Sequence, residues 1–208
     1  MSETYKKLAI QYSTSNWSFS SARAWEAVIQ ADPSAQNLMA YAEQLRLTGQ
    51  FTKALIQLDR VNPDSIPKAS QHLLPLRRGM IYQDSGRLSE AISAFEEMIA
   101  FRPEETYPYV FLAVALSNQE RLDEASKVLK TALQKRGDLD EVWYNLGLIQ
   151  ARMKQWKQAI SSMQVCLKLC PDFPHARTWL DDLEHLTQKA SGNLADDQAL
   201  PGATLDLT

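Results

Sequence analysis

Apolar residues recur through the middle of this chain in a fixed frame. Leu88, Ala91 and Phe95 stand at intervals of three and four, and so do Leu122, Ala125 and Leu129, then Trp156, Ala159 and Met163. Such intervals place each trio on one face of a helix. The three alanines are spaced 34 residues apart, so the amphipathic segment is a repeat and not a single event. Twelve residues beyond Ala91 and Ala159 come Pro103 and Pro171, where a proline ends a helix; Gly137 takes that slot in the middle copy, and a positive φ there would end the helix too. A second apolar stripe precedes each alanine, as in Tyr109, Leu112, Ala113 and Leu116. One unit therefore reads as helix, turn, helix. A pair this small cannot bury its apolar face alone, so neighbouring units must supply the core.

The frame resembles the tetratricopeptide repeat family, whose unit reads W-x2-L-G-x2-Y, then A-x3-F, then P. From Asp140, the residues Trp143, Leu146, Gly147, Ala159 and Pro171 occupy the family slots, with Gln150 for Tyr and Met163 for Phe. From His72, the matches are Gly79, Tyr82, Gly86, Ala91, Phe95 and Pro103, while Pro75 and Arg78 replace Trp and Leu. The copy from Thr106 offers Tyr109, Leu112, Ala113, Leu116, Ala125, Leu129 and Ala132. Upstream, Leu38, Tyr41, Ala42, Leu45, Gly49, Phe51, Ala54 and Leu58 follow the same order. The resemblance implies an all-α fold, a right-handed α-solenoid of stacked antiparallel helix pairs, with four to five repeats and a C-terminal capping helix.

The step from Ala54 to Ala91 exceeds the period by three residues, and the excess falls in "VNPDSIPKASQ". There Pro63 is expected to end one helix and Pro67 to open the next as a first-turn proline, which would leave Pro75 inside a helix and kink it. The predicted organisation is a degenerate N-terminal repeat over 1–34, carrying Trp17, Ser20, Trp25 and Val28, then a repeat with the insertion over 35–71. Regular repeats follow over 72–105, 106–139 and 140–173, with a polar capping helix over 174–190. Residues 191–208 hold Gly, Pro and three aspartates with no aromatic, Lys or Arg, and read as a disordered acidic tail.

Function should lie on whatever the packing stripe leaves over. The small residues Ala91, Ala125, Ala159, Gly79 and Gly147 belong to the fold, since they let paired helices approach. In the family, the first helix of each pair lines a concave groove. Once its packing stripe is subtracted, "YPYVFLAVALSNQ" leaves Tyr107, Val110, Phe111, Val114, Ser117 and Asn118 on other faces, and the whole run carries no charge. A helix that is apolar all round is either buried or covered by something else. Leu76, Arg77 and Met80 continue the theme on one side, and Tyr144, Asn145, Leu148 and Arg152 on the other. These residues form the candidate partner-binding groove, suited to an apolar peptide or amphipathic helix anchored by Phe111, Tyr107 and Tyr144. Arg77 and Arg152 would pair with its acids. The rival reading assigns part of this excess to ordinary inter-repeat core, because each first helix touches both flanking repeats. Two other occupants are the tail segment "LPGATLDLT" and a second copy of the chain. A clamp for a terminal carboxylate fits poorly, since Val110, Phe111, Val114 and Leu148 fill places where it would want polar donors.

Composition narrows the chemistry. The 208-residue chain is 45% hydrophobic and 23% charged, with no apolar run of the roughly 20 residues a membrane span needs and no apolar stretch in "MSETYKKLAI" to suit a secretory signal. A cytoplasmic protein with no membrane insertion is expected, and two cysteines suit a reducing compartment. A net charge of -3 with scattered Lys and Arg argues against nucleic acid. His72, His175 and His185 share no helical face, and Cys166 with Cys170 and His175 makes a weak metal set, because Cys166 fills a small apolar slot. No phosphate-cradling glycine cluster and no G-x-S-x-G occur. The sequence reading is a protein without catalytic residues, cofactor or metal: an adaptor or chaperone-like module that binds a protein segment. The alternatives are a structural subunit that self-associates or docks permanently in a larger assembly, and a secretion-type chaperone.

Overall fold

The computed structural model describes residues 18–192, with side chains described over 24–189. Trp17, the tail 191–208 from residue 193 onward, and the first helix expected for the degenerate repeat lie outside the described residues. Ten α-helices and no strand occur among them: α1 (Ser18–Ala31), α2 (Ala35–Leu47), α3 (Phe51–Asp59), α4 (Leu73–Asp84), α5 (Leu88–Phe101), α6 (Thr106–Asn118), α7 (Leu122–Ala132), α8 (Leu139–Arg152), α9 (Trp156–Leu169) and α10 (Ala176–Gly192). The chain divides into two compact units at Gly137 and Asp138. In the first, α1 packs on α2, and α2/α3, α4/α5 and α6/α7 are helix pairs. Each pair leans on the next through its second helix, α3 on α4 and α5 on α6. In the second, α8 pairs with α9, and α10 covers α9.

One turn geometry closes all four pairs. Two residues after α2, α4, α6 and α8 stand Gly49, Gly86, Glu120 and Lys154, each with φ between 58° and 75°. The next residue's N–H returns to a carbonyl five positions earlier: Gln50 to Leu45 and Arg87 to Tyr82 at 2.8 Å, Arg121 to Leu116 at 2.9 Å and Gln155 to Gln150 at 2.8 Å. This is the left-handed cap that satisfies orphan carbonyls and reverses the chain. Glycine adopts it without a Cβ penalty, whereas Glu120 and Lys154 carry one.

Small residues set how closely the paired helices meet. Ala54, Ala91, Ala125 and Ala159 are wholly buried. A Cβ built on Gly79 would run into the ring of Phe95, itself completely buried. At Gly147 the nearest atom to such a Cβ is the terminal methyl of Met163, 2.9 Å away at the end of a flexible side chain. The first unit's N-terminal core joins Trp25, Val28, Leu38, Tyr41, Leu45 and Leu58 with their neighbours; that of the second joins Met163, Cys166, Leu180 and Leu183.

Three expectations are corrected. Pro67 does not open α4: it precedes a short 3-10 turn, Lys68–Ser70, which follows another at Pro63–Ser65, and α4 begins at Leu73. Pro75 consequently stands third in α4, where its missing N–H is an orphan in any case, and no helix interior is broken. Gly137 does have φ 132°, but α7 ends five residues earlier, at Ala132. The glycine serves the loop, where Arg136 accepts from the Thr106 N–H at 2.9 Å and donates to Glu104 O at 2.8 Å. A Cβ at Gly137 would collide with the Thr106 hydroxyl.

Two results are expected in urea denaturation followed by circular dichroism. Gly79→Ala should cost about 1–3 kcal/mol by overpacking Phe95. Gly147→Ala should stay within about 1 kcal/mol of the parent, because Met163 yields and alanine's helix propensity compensates. In the same assay, Glu120→Gly and Lys154→Gly should each stabilise by about 0.5–1 kcal/mol, by relieving the left-handed conformation.

Candidate functional site

The face of α6 left over by core packing carries Tyr107, Phe111, Val114 and Asn118 at successive helical turns, and α4 contributes Leu76, Arg77 and Met80. All but Asn118 are partly exposed, and Asn118 is fully so. Val110 is different. At 6% exposure it belongs to the core and offers a partner almost nothing. Phe111 stacks on Phe95 with ring centroids 5.3 Å apart, so Phe95 sits against Gly79 of α4 and Phe111 of α6 at once. Phe95 thus links the two first helices, on which Leu76 and Met80 of α4 and Tyr107 and Val114 of α6 are partly exposed.

Arg77 is already engaged. Its guanidinium pairs with Glu43 of α2 at 3.2 Å, Glu43 also holds Arg46 at 2.8 Å, and Arg46 crosses to Asp84 of α4. Burial alone would push the Glu43 carboxyl up, but Arg46 and then Arg77 outweigh it and hold it below the usual range. This four-residue network ties α2 to α4. It was missed in the sequence because the candidate groove was drawn from α4 onward; the Glu43 and Arg46 spacing of three was the available signal.

His72 accepts a hydrogen bond at Nδ1 from Arg102 Nε, 3.2 Å away, and meets the Tyr107 ring edge-on at 6.1 Å. Arg102 also donates to the carbonyl of Ala69. The imidazole must be neutral to accept. Burial, then the Arg102 charge, lower its pKa, partly countered by Glu105.

In the second unit, Tyr144 packs on Phe173 with ring centroids 4.9 Å apart. Burial raises its phenol's pKa, against a smaller opposing effect of the hydrogen bond with Trp179. Leu148 leans on the same core as Tyr144, and Asn145 donates to the Glu141 carbonyl one turn back at 2.9 Å. Arg152 is partly buried at the last position of α8. Glu141 has its pKa raised by burial and by Asp138 and Asp140. The buried Ser162 hydroxyl donates to Gln150 at 2.7 Å, a polar pair inside the α8/α9 contact that the pattern of apolar positions did not announce. Cys166 is wholly buried, and desolvation pushes its thiol up to about 11. Among the described residues no group of three or more His, Cys, Asp or Glu side chains is placed to hold a metal ion. No described helix is long and apolar enough to cross a membrane.

Stacked helix pairs closed by a left-handed turn at a 34-residue step define a class of α-helical repeat protein. The tetratricopeptide repeat profile matches residues 82–149, and a second profile of the same description matches 140–173. Residues 82–173 thus belong to the tetratricopeptide repeat family. The chain is 28% identical over 125 residues to tetratricopeptide repeat protein 33 of Xenopus laevis, a match covering 60% of this chain and 46% of that protein. The chain thus spans about half the length of that relative. Its fold is similar to residues 41 to the end of MamA from Desulfovibrio magneticus RS-1, with a TM-score of 0.66 at 15% identity, covering 83% of this chain and 97% of that one. It is also similar to the second tetratricopeptide domain of human RPAP3, solved in complex with the HSP70 peptide SGPTIEEVD, with a TM-score of 0.52 at 19% identity over 57% of this chain and 98% of that one. The fold supports a role as a protein-interaction adaptor.

His72 makes the site's stability depend on pH. A lowered folded-state pKa means that its contribution is present above the ordinary 6.5 and is lost as pH falls through the folded value. Between pH 7.5 and 5.0, the urea midpoint of the parent chain should fall further than that of His72→Gln, whose amide oxygen still accepts from Arg102.

Proposed function

We propose that this chain is a non-catalytic cytoplasmic adaptor or chaperone-like module whose first-helix faces hold an apolar peptide or amphipathic helix of a partner protein. The observation that carries the reading is α6, an uncharged helix whose Tyr107, Phe111 and Val114 remain partly exposed, as do Leu76 and Met80 of α4. Exposed aromatic and aliphatic side chains bury large area at low entropic cost. Arg77, held by Glu43, frames one margin of this surface and keeps donors for an acidic group of the partner. In the second unit, Tyr144, Asn145, Leu148 and Arg152 form a corresponding stripe on α8. A fold neighbour solved with a bound peptide supports peptide capture as the mode.

The test uses Met80→Glu with Val114→Glu, since Phe111 is braced by Phe95 and its loss would disturb packing. Affinity capture from cell lysate with the full chain should retain a protein that the double variant loses, while circular dichroism and thermal midpoint stay close to the parent. Retention of the same proteins by both forms would count against the reading.

A second reading, permanent self-association or docking in a larger assembly, is favoured by large apolar side chains left outside: Leu47 at 60% exposure, Ile56 and Leu169 at 53%. Sedimentation across a hundredfold concentration range decides, and a constant monomer mass removes self-association.

A further inference from the structure

The insertion between α3 and α4 borders a half-open pocket of about 670 Å³, within the size range of ligand pockets. It lies wholly in the first unit, between the opening turns of α2 and α4 and the segment from Arg60 to Ser70. Its walls are mainly apolar, with Pro33, Leu38, Met39, Ile66, Pro67 and Leu73 the larger contributors. Leu38, Met39 and Ile66 are themselves buried, so the floor is core and not mobile surface. Ser34, Asn62, Ser65 and Ser70 add polar groups. Among the described residues the only charged one lining it is Arg60, and no acid does so.

Charge decides what such a cavity takes. Two of the acids nearby are engaged: Asp59 pairs with Arg78 at 3.1 Å, and Asp32 accepts from Asn37 at 2.8 Å and from Ser34. Arg60 stands between this pocket and a shallower groove lined by Glu26, Tyr41 and Gln57; it spends one guanidinium nitrogen on the Gln57 side chain at 2.7 Å and, among the described residues, makes no ion pair. A planar guanidinium with free donors beside an apolar floor suits a carboxylate attached to an apolar body. A cationic ligand finds no acid among the described residues of the lining. Cavity size fits a few residues of chain, and the walls offer no enclosed slot for a long alkyl tail.

We propose that this cavity is a docking pocket for a short apolar segment of a partner protein that carries one acidic side chain, with Arg60 reading the carboxylate and Met39, Ile66 and Leu73 the apolar body. The pocket stands apart from the α4 and α6 surface and does not depend on it. The three-residue excess in the repeat period is then the device that opens it, because a regular step would bring the two helix pairs together without the Asn62 to Ser70 excursion.

The experiment titrates the full chain, carrying 13C-labelled methionine and isoleucine methyls, with an acetylated, amidated tetrapeptide Leu-Leu-Glu-Leu. Met39 and Ile66 methyls should shift while Met98 and Met163, buried elsewhere, stay fixed. Arg60→Glu, an exposed substitution whose folding is checked by circular dichroism, should weaken binding by about tenfold or more, and Arg60→Lys by less. The Gln counterpart of the peptide should bind about tenfold more weakly than the Glu peptide. Unmoved Met39 and Ile66 methyls, or equal binding to Arg60→Glu, would overturn the proposal. Octanoate shifting the same methyls at lower concentration than the peptide would also overturn it, by making the pocket a site for small amphiphiles.

Discussion

Paired helices in this chain meet where a side chain is small or missing. The ring of Phe95 lies in the space left at Gly79, and its other face supports Phe111 two helices away from α4. One absent Cβ thereby sets the depth at which α4 and α5 interlock and the level of the surface that α6 presents. The alanines at the 34-residue step do the same task more modestly, each wholly buried where two backbones approach. Close packing of this kind tolerates small changes in volume poorly, which makes these positions the fixed points of the array.

The sequence carried this part of the fold plainly because it is local and periodic. Ala91, Ala125 and Ala159 announce the step, and the stripe Tyr109, Leu112, Ala113 and Leu116 announces the first helix without reference to anything distant. Where the outcome depends on which residue supplies a hydrogen bond, the pattern was insufficient. Pro67 and Pro75 are both compatible with a helix start, and only the run of two 3-10 turns decides that Pro75 takes the first-turn role. Gly137 likewise looked like a helix stop and instead serves a loop in which Arg136 bonds to residues 104 and 106.

The candidate surface was legible in outline and not in detail. Composition distinguishes α6 as an uncharged helix, but no spacing rule reveals that Val110 turns inward while Val114 does not. Arg77 and Tyr144 looked free in the sequence because their partners, Glu43 on a neighbouring helix in one case and Phe173 in the segment before α10 in the other, lie far along the chain. Such partners follow from the stacking of one pair on the next, and a one-dimensional pattern does not contain them. The ion network between α2 and α4 has the same origin.

The excursion between α3 and α4 has a mechanical consequence. Repeat arrays transmit stability from neighbour to neighbour, so an interval with few regular backbone bonds is where that transmission is weakest. From Val61 to Gln71 the chain holds only two isolated 3-10 turns and includes two prolines, and most of its side chains face solvent. A protease meets exposed, irregular backbone here, yet the array is not severed at it: Leu74 and Ile81 of α4 share one core with Leu45 and Leu58, and Glu43, Arg46, Arg77 and Asp84 bridge α2 and α4. The same three extra residues that interrupt the period thus make an interval that can be nicked while the pieces on either side stay held together.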